Sequence, residues 1–195
     1  AGKQPDAVWV SYAELLLEAR PENDELRLTL IEQLIKLGDY PRARRHLREL
    51  EVDETDSLRF YRVELDVLEA LASRKGIERP KRLALVERLS RLSRVGLSTE
   101  LLLRQARYAL SLSAPGLAAD VYVDLAGREP EKSTEWLGEA ARWYLASGQQ
   151  ERAAQLYIDL LEQAETAEQR SQWLDQAFAA LRAGDRGEAA VEVLA

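Results

Sequence analysis

Any chemistry in this chain has to start from its single histidine and its many carboxylates. His46 lies within the run Arg42, Arg44, Arg45 and Arg48. With no second histidine and no cysteine, the usual transition-metal ligand sets cannot be assembled within the chain, so His46 reads as a solvated helix-face residue. Carboxylates cluster at Glu51, Asp53 and Glu54, and again at Glu162, Glu165 and Glu168. A pair that cleaves a glycosidic bond needs a closed pocket and a fixed separation. Clusters on solvated faces and at helix starts are better read as complements of the helix dipole. Glycines fall singly at helix ends and never gather ahead of a helix, as a phosphate cradle requires. The expectation is a protein that is not an enzyme, with no cofactor and no metal.

Charge is the second feature that could do work. The formal net charge is −7, yet residues 40 to 94 hold fourteen Lys/Arg against ten Asp/Glu, so the remainder is strongly acidic. Arg42, Arg44, Arg45 and Arg48, followed in the next repeat by Lys81, Arg82, Arg88, Arg91 and Arg94, are expected to stack into a positive stripe. Such a stripe is either a solvated face with internal ion pairs or a docking patch for an acidic partner. Nucleic acid fits poorly, because the chain is acidic overall and the basic run has no interleaved aromatics on which bases could stack. Trp143 and Tyr144 are adjacent, so they point to different faces and only one can enter the core. An exposed Trp143 beside Arg142 would serve as an anchor for a partner or a platform for a sugar ring. Trp136 and Trp173 are expected to pack between helices.

The elements that must position these groups follow a repeat. Gly38-Asp39-Tyr40, Gly148-Gln149-Gln150 and Gly184-Asp185-Arg186 are each followed by a helix-forming run. Ala43, Ala153 and Ala189 sit five residues after the glycines, and Leu47, Tyr157 and Val193 four further on. The first helices carry small or apolar residues in register, as Ala106 and Ala109, Ala141 and Tyr144, Ala177 and Ala180, where close helix approach favours them. Thr166-x-x-Gln169 and Asp185-x-x-Glu188 have the form of capping boxes. Helices are expected over 7–19, from Asp24 to a left-handed cap at Gly38, and onward to about Leu50. Between about Leu58 and Ser98 the template stretches, with a charged connection over 74–80.

Hydrophobic residues make up 46% and charged residues 31% of the 195, the balance of an ordered, amphipathic all-helical protein. No stretch approaches the roughly 18 apolar residues that span a bilayer, and the N-terminus has no signal pattern. The chain holds no methionine and its last residues fall inside a helical pattern, so the expectation is a segment of a longer protein.

The period of roughly 34 residues, the glycine turns and the alanine register resemble the tetratricopeptide-repeat family over nearly the whole length. That resemblance implies an all-α, right-handed α-solenoid of about eleven helices. Its units would lie at about 6–21 (partial), 24–55, 56–98 (divergent), 99–133, 134–166 and 167–195. In that family the first helix of each pair lines a concave groove that binds peptides or partner domains, and the second forms the convex back, so a generic peptide-binding co-factor is one role the resemblance implies. Carried over, the groove-facing positions are Glu25, Leu28, Glu32, Ile35 and Lys36, then Arg107 and Leu110. Later units contribute Glu135, Arg142 and Leu145, then Leu174, Phe178, Leu181 and Arg182. The candidate partner-binding residues are Glu32, Lys36, Arg107, Arg142 and Phe178 of this set, with Arg42, Arg45, Arg48, Arg88, Arg91 and Trp143.

The stretch LLLEARPENDELRLTLIEQLIKLGDYPRARRHL is also similar to the Leu/Arg-rich repeat regions of bacterial exopolysaccharide-export outer-membrane proteins of the PelB type. That resemblance implies a periplasmic scaffold whose parent is anchored in the outer membrane. Its partner would be a polysaccharide deacetylase or hydrolase, with the secreted polysaccharide as a further ligand. The exposed apolar helix faces at Val8 and Leu15, and at Val191 and Leu194, imply instead self-association or a spacer role.

Overall fold

A computed structural model describes residues 7–50 and 53–184. Among these the protein is all-helical, with ten α-helices, one 3-10 turn and no strand. The expected eleventh helix, the Asp185 capping box, Ala189, Val191, Val193 and Leu194 lie outside the described residues. The chain divides between Leu97 and Ser98 into two compact units. Among the described residues no helix is long and apolar enough to cross a membrane.

The first unit contains α1 (Ala7–Ala19), α2 (Asp24–Leu37), α3 (Tyr40–Arg48), α4 (Asp56–Leu71) and α5 (Arg79–Ser90). Side-chain caps set the starts of three of them. Asn23 accepts from the Leu26 N–H, Asp39 from Arg42 and Thr55 from Leu58, each satisfying a donor that the first turn leaves open. Each helix packs on the next in sequence. Leu30, Ile31 and Leu34 of α2, Ala43 and Leu47 of α3, and Phe60, Leu65 and Val67 of α4 form the buried faces. The charged connection expected at 74–80 joins α4 to α5, with Gly76 in the left-handed region at φ 73° and Arg79-Pro80 already in the first turn of α5.

The second unit contains α6 (Thr99–Ser111), α7 (Pro115–Arg128), α8 (Ser133–Ala146), α9 (Gln150–Glu162) and α10 (Ala167–Ala183), with the 3-10 turn Pro130–Lys132 ahead of α8. The capping box at Thr166 and Gln169 forms with both of its hydrogen bonds. The core is built largely from alanine: Ala119, Ala141, Ala153, Ala154, Ala177 and Ala180 surround Tyr144, Tyr157 and Leu160. Alanine lets two helix backbones approach closely, so consecutive helices here share extensive faces.

The turns α2–α3, α6–α7 and α8–α9 use one backbone device. At Gly38 (φ 77°) the glycine N–H bonds to Ile35 O at 3.0 Å and the following Asp39 N–H to Leu34 O at 2.9 Å. At Gly148 (φ 77°) the same two bonds run to Leu145 O and Tyr144 O. This is the Schellman closure, whose left-handed seat favours glycine. Between α6 and α7 the seat holds Ser113, at φ 60°, with bonds from Ser113 N–H to Leu110 O and from Ala114 N–H to Ala109 O. A glycine-based template misses this turn because a β-carbon occupies the strained position. Ser113→Gly is therefore expected to stabilise the second unit by about 1 kcal/mol, read as a raised denaturation midpoint. A lowered midpoint would show that the serine side chain makes good the strain. Gly184 differs, with φ −85° and bonds back to Ala180 O and Leu181 O, so this glycine does not itself take the left-handed seat.

Candidate functional site

The second unit carries a groove of about 820 Å³ that runs along α8. Two aromatic stacks build it. Tyr122 of α7 lies against Trp136 of α8, with ring centroids 5.8 Å apart and planes 24° from parallel. Tyr157 of α9 lies against Trp173 of α10 at 6.0 Å and 22°. Each stack joins the second helix of one pair to the first helix of the next, and the tyrosines are 35 residues apart in sequence. Trp173 lies over Gly138 of α8, where a β-carbon would make ordinary contact with the ring, 3.4 Å from Trp173 Cη2. Burial pushes both tyrosine hydroxyls above their ordinary titration range, so the plates are neutral under physiological conditions.

Charge is arranged around these plates in two classes. Lys132 bonds Glu129 at 3.0 Å, which holds the ammonium above and the carboxylate below their usual ranges. Glu129 also accepts from Trp136 Nε1 at 3.4 Å. Arg142 pairs with Glu139, lies over the Trp143 ring at 4.5 Å, and shares that carboxylate with Trp143 Nε1 at 3.2 Å. Glu131 and Glu135 also line the groove, are exposed, and enter no ion pair among the described residues. Gln172 and Gln176, one turn apart on α10, supply amides on the same wall.

The expected site residues are dispersed by the fold. Glu135, Arg142 and Leu145 meet in this groove. Trp143 is half-buried beside it and Tyr144 is the one that enters the core, where its hydroxyl donates to Asp120 at 2.6 Å. Phe178 packs against the core with Arg182 over its ring at 5.8 Å. Arg107 and Lys36 are exposed, and Glu32 accepts a hydrogen bond from the Tyr61 hydroxyl. Ile35 is not groove-facing but buried, at 8% exposure, because its helix face is covered within the first unit. The expectation that Trp136 and Trp173 pack between helices agrees with both stacks. Tyr122 and Glu131 carry no mark in the sequence and Tyr157 reads there only as a position of the repeat register, although the spacing of the two tyrosines repeats the period.

The basic run has a different character from a bare stripe. Arg42 pairs with Glu14 of α1 and with Asp39. Arg45 reaches the same Glu14 at 3.2 Å. Arg44 bonds Asp66 at 2.6 Å and Glu69 at 3.0 Å, Arg88 bonds Asp66 at 2.5 Å, and Arg91 bonds Glu87 at 2.5 Å. Arg48 is exposed and outside these pairs. His46, expected in solvent, is instead 5% exposed. Its Nε2 lies 3.3 Å from Glu14 and its Nδ1 3.3 Å from Glu49, with Arg27 packed alongside. Burial pushes the Glu14 carboxyl up, but hydrogen bonds and charge from Arg42 and His46 outweigh it and hold the group below its ordinary range. This cluster joins α1, α2 and α3, and lines a second recess of about 750 Å³ in the first unit.

No family model matches the chain, and no match was found among curated proteins or solved structures.

Proposed function

We propose that the chain is a non-catalytic interaction scaffold, a right-handed α-solenoid of tetratricopeptide-type helix pairs that recruits another macromolecule. The observation that carries this reading is the groove along α8, where two indoles and the carboxylates of Glu131 and Glu135 are presented together. Aromatic groups in a recess with charge at its edge are the usual composition of protein docking sites. The repeated glycine turn and the buried alanine register support the repeat assignment. The sequence resemblance to export proteins extends the reading: the partner is a periplasmic polysaccharide deacetylase or hydrolase, and the scaffold assists polymer export from a parent anchored in the outer membrane.

Affinity capture from a periplasmic extract, with the bound protein identified, tests this. Recovery of a polysaccharide deacetylase or hydrolase is the expected result. Recovery of no such enzyme would overturn the export reading. Arg48→Glu is the appropriate probe of the basic helices, because it leaves the ion pairs of Arg42, Arg45 and Arg88 intact.

One observation favours a second reading, self-association. Val8, Tyr12 and Leu15 of α1 are 73%, 60% and 62% exposed, an apolar helix face of the kind that neighbouring repeats cover. Sedimentation distinguishes the two, since a concentration-independent monomer removes this reading.

A further inference from the structure

We infer that the groove along α8 takes an extended peptide segment bearing arginine or lysine side chains; this rests on the scaffold reading and names the chemistry of the partner's docking element. Charge gives the first argument. Of the charged side chains lining the groove, Lys132 is committed to Glu129 and Arg142 to Glu139, while Glu131 and Glu135 have no ion pair among the described residues. Their field is felt by Lys132, whose ammonium they help to hold charged. A cationic ligand meets two unpaired carboxylates on the lining, where both cations already face a carboxylate, while the field of Arg107 reaches the Tyr122 side; attraction is therefore directed to the Glu131 and Glu135 side of the groove.

Ring geometry gives the second. Tyrosine already stacks on Trp136 and on Trp173, and both indoles are half-buried, Trp173 with its six-membered ring over Gly138. One face of each indole is covered by its tyrosine, and the exposed remainder lies on the open groove. An indole so placed attracts a flat guanidinium or an aliphatic stem carrying a cation. Gln172 and Gln176 then offer both donors and acceptors to a peptide backbone lying along α10.

The test uses the whole chain and a fluorescent short peptide of alternating arginine and alanine, with the matching glutamate peptide and a glucosamine oligomer as competing probes. The arginine peptide is expected to bind and to alter tryptophan emission. The double variant Glu131→Gln, Glu135→Gln should weaken binding about tenfold at low salt, with the difference vanishing at high salt. Trp173→Leu should weaken binding by a similar factor at both salts, because its contact is not purely ionic. Glu162→Gln with Glu165→Gln, exposed acids outside the groove, should change nothing. Equal loss in that control pair, absence of peptide binding, or binding of the glucosamine oligomer in place of the peptide would each overturn the inference. Circular dichroism of each variant separates lost binding from lost fold. An identified enzyme partner that still binds the Glu131, Glu135 variant would overturn this inference and leave the scaffold standing. Peptide binding without any enzyme partner would overturn the export reading alone.

Discussion

Arg27→Ala should destabilise the first unit by about 3 kcal/mol. The side chain is 5% exposed, donates to Glu49 at 2.5 Å and to the Pro21 carbonyl at 2.6 Å, and packs beside His46 Nδ1 at 3.5 Å. Truncation leaves the carbonyl without its donor and places His46 against a carboxylate no longer balanced by the guanidinium. Glu49 is half exposed, so water recovers part of the loss, which keeps the figure at the lower end for a broken buried pair. Hydrogen exchange is the decisive measurement, because a global midpoint would blend two units. Protection should fall in α1, α2 and α3 and hold in α7 to α9. Arg48→Ala, a change at an exposed cation outside the ion pairs, should stay within about 0.5 kcal/mol. Equal effects of the two substitutions would show that the cluster contributes nothing beyond generic charge.

The same cluster shows where sequence reading stops. The run from Arg42 to Arg48 looks like a cationic face when only its own helix is in view. Its neutralising carboxylate, Glu14, lies 28 residues before Arg42 and 32 before His46, on a helix whose rotation no local pattern fixes. Ion pairing between helices depends on that rotation and on side-chain reach, neither of which leaves a periodic trace. The groove was half legible for a related reason. Trp136, Glu135 and Arg142 stand out by type, but Tyr122 and Tyr157 matter only through the rings they stack on across a helix boundary. Features that repeat were readable: Ala43, Ala106, Ala109, Ala141, Ala153, Ala177 and Ala180 are all fully buried, as their register required. Ser113 marks the limit of that logic, since the backbone closure persists there while the residue that announces it does not.

Ala141→Leu puts that register to its strongest test and links the fold to the groove. Ala141 is fully buried on α8, among the alanines of α7, α9 and α10 that let these helices meet. Leucine there has no void to fill, so α8 must move away from its neighbours, at a cost of about 3 kcal/mol. Ala146→Leu, on the exposed end of the same helix, adds the same atoms with no neighbour to displace and should be nearly neutral. Denaturation midpoints of the two variants measure the difference. Ala141 does not line the groove, yet Trp136 and Glu135 ride on the helix it anchors and Trp173 rests over Gly138 of that helix. Displacing α8 therefore separates the two aromatic stacks from each other. The Ala141 variant, assayed where it is still folded, should lose peptide binding as fully as Trp173→Leu, whereas Ala146→Leu should keep it. Retained binding in the Ala141 variant would mean that the aromatic groove is held by α7, α9 and α10 without α8, and that the small-residue contacts serve stability alone.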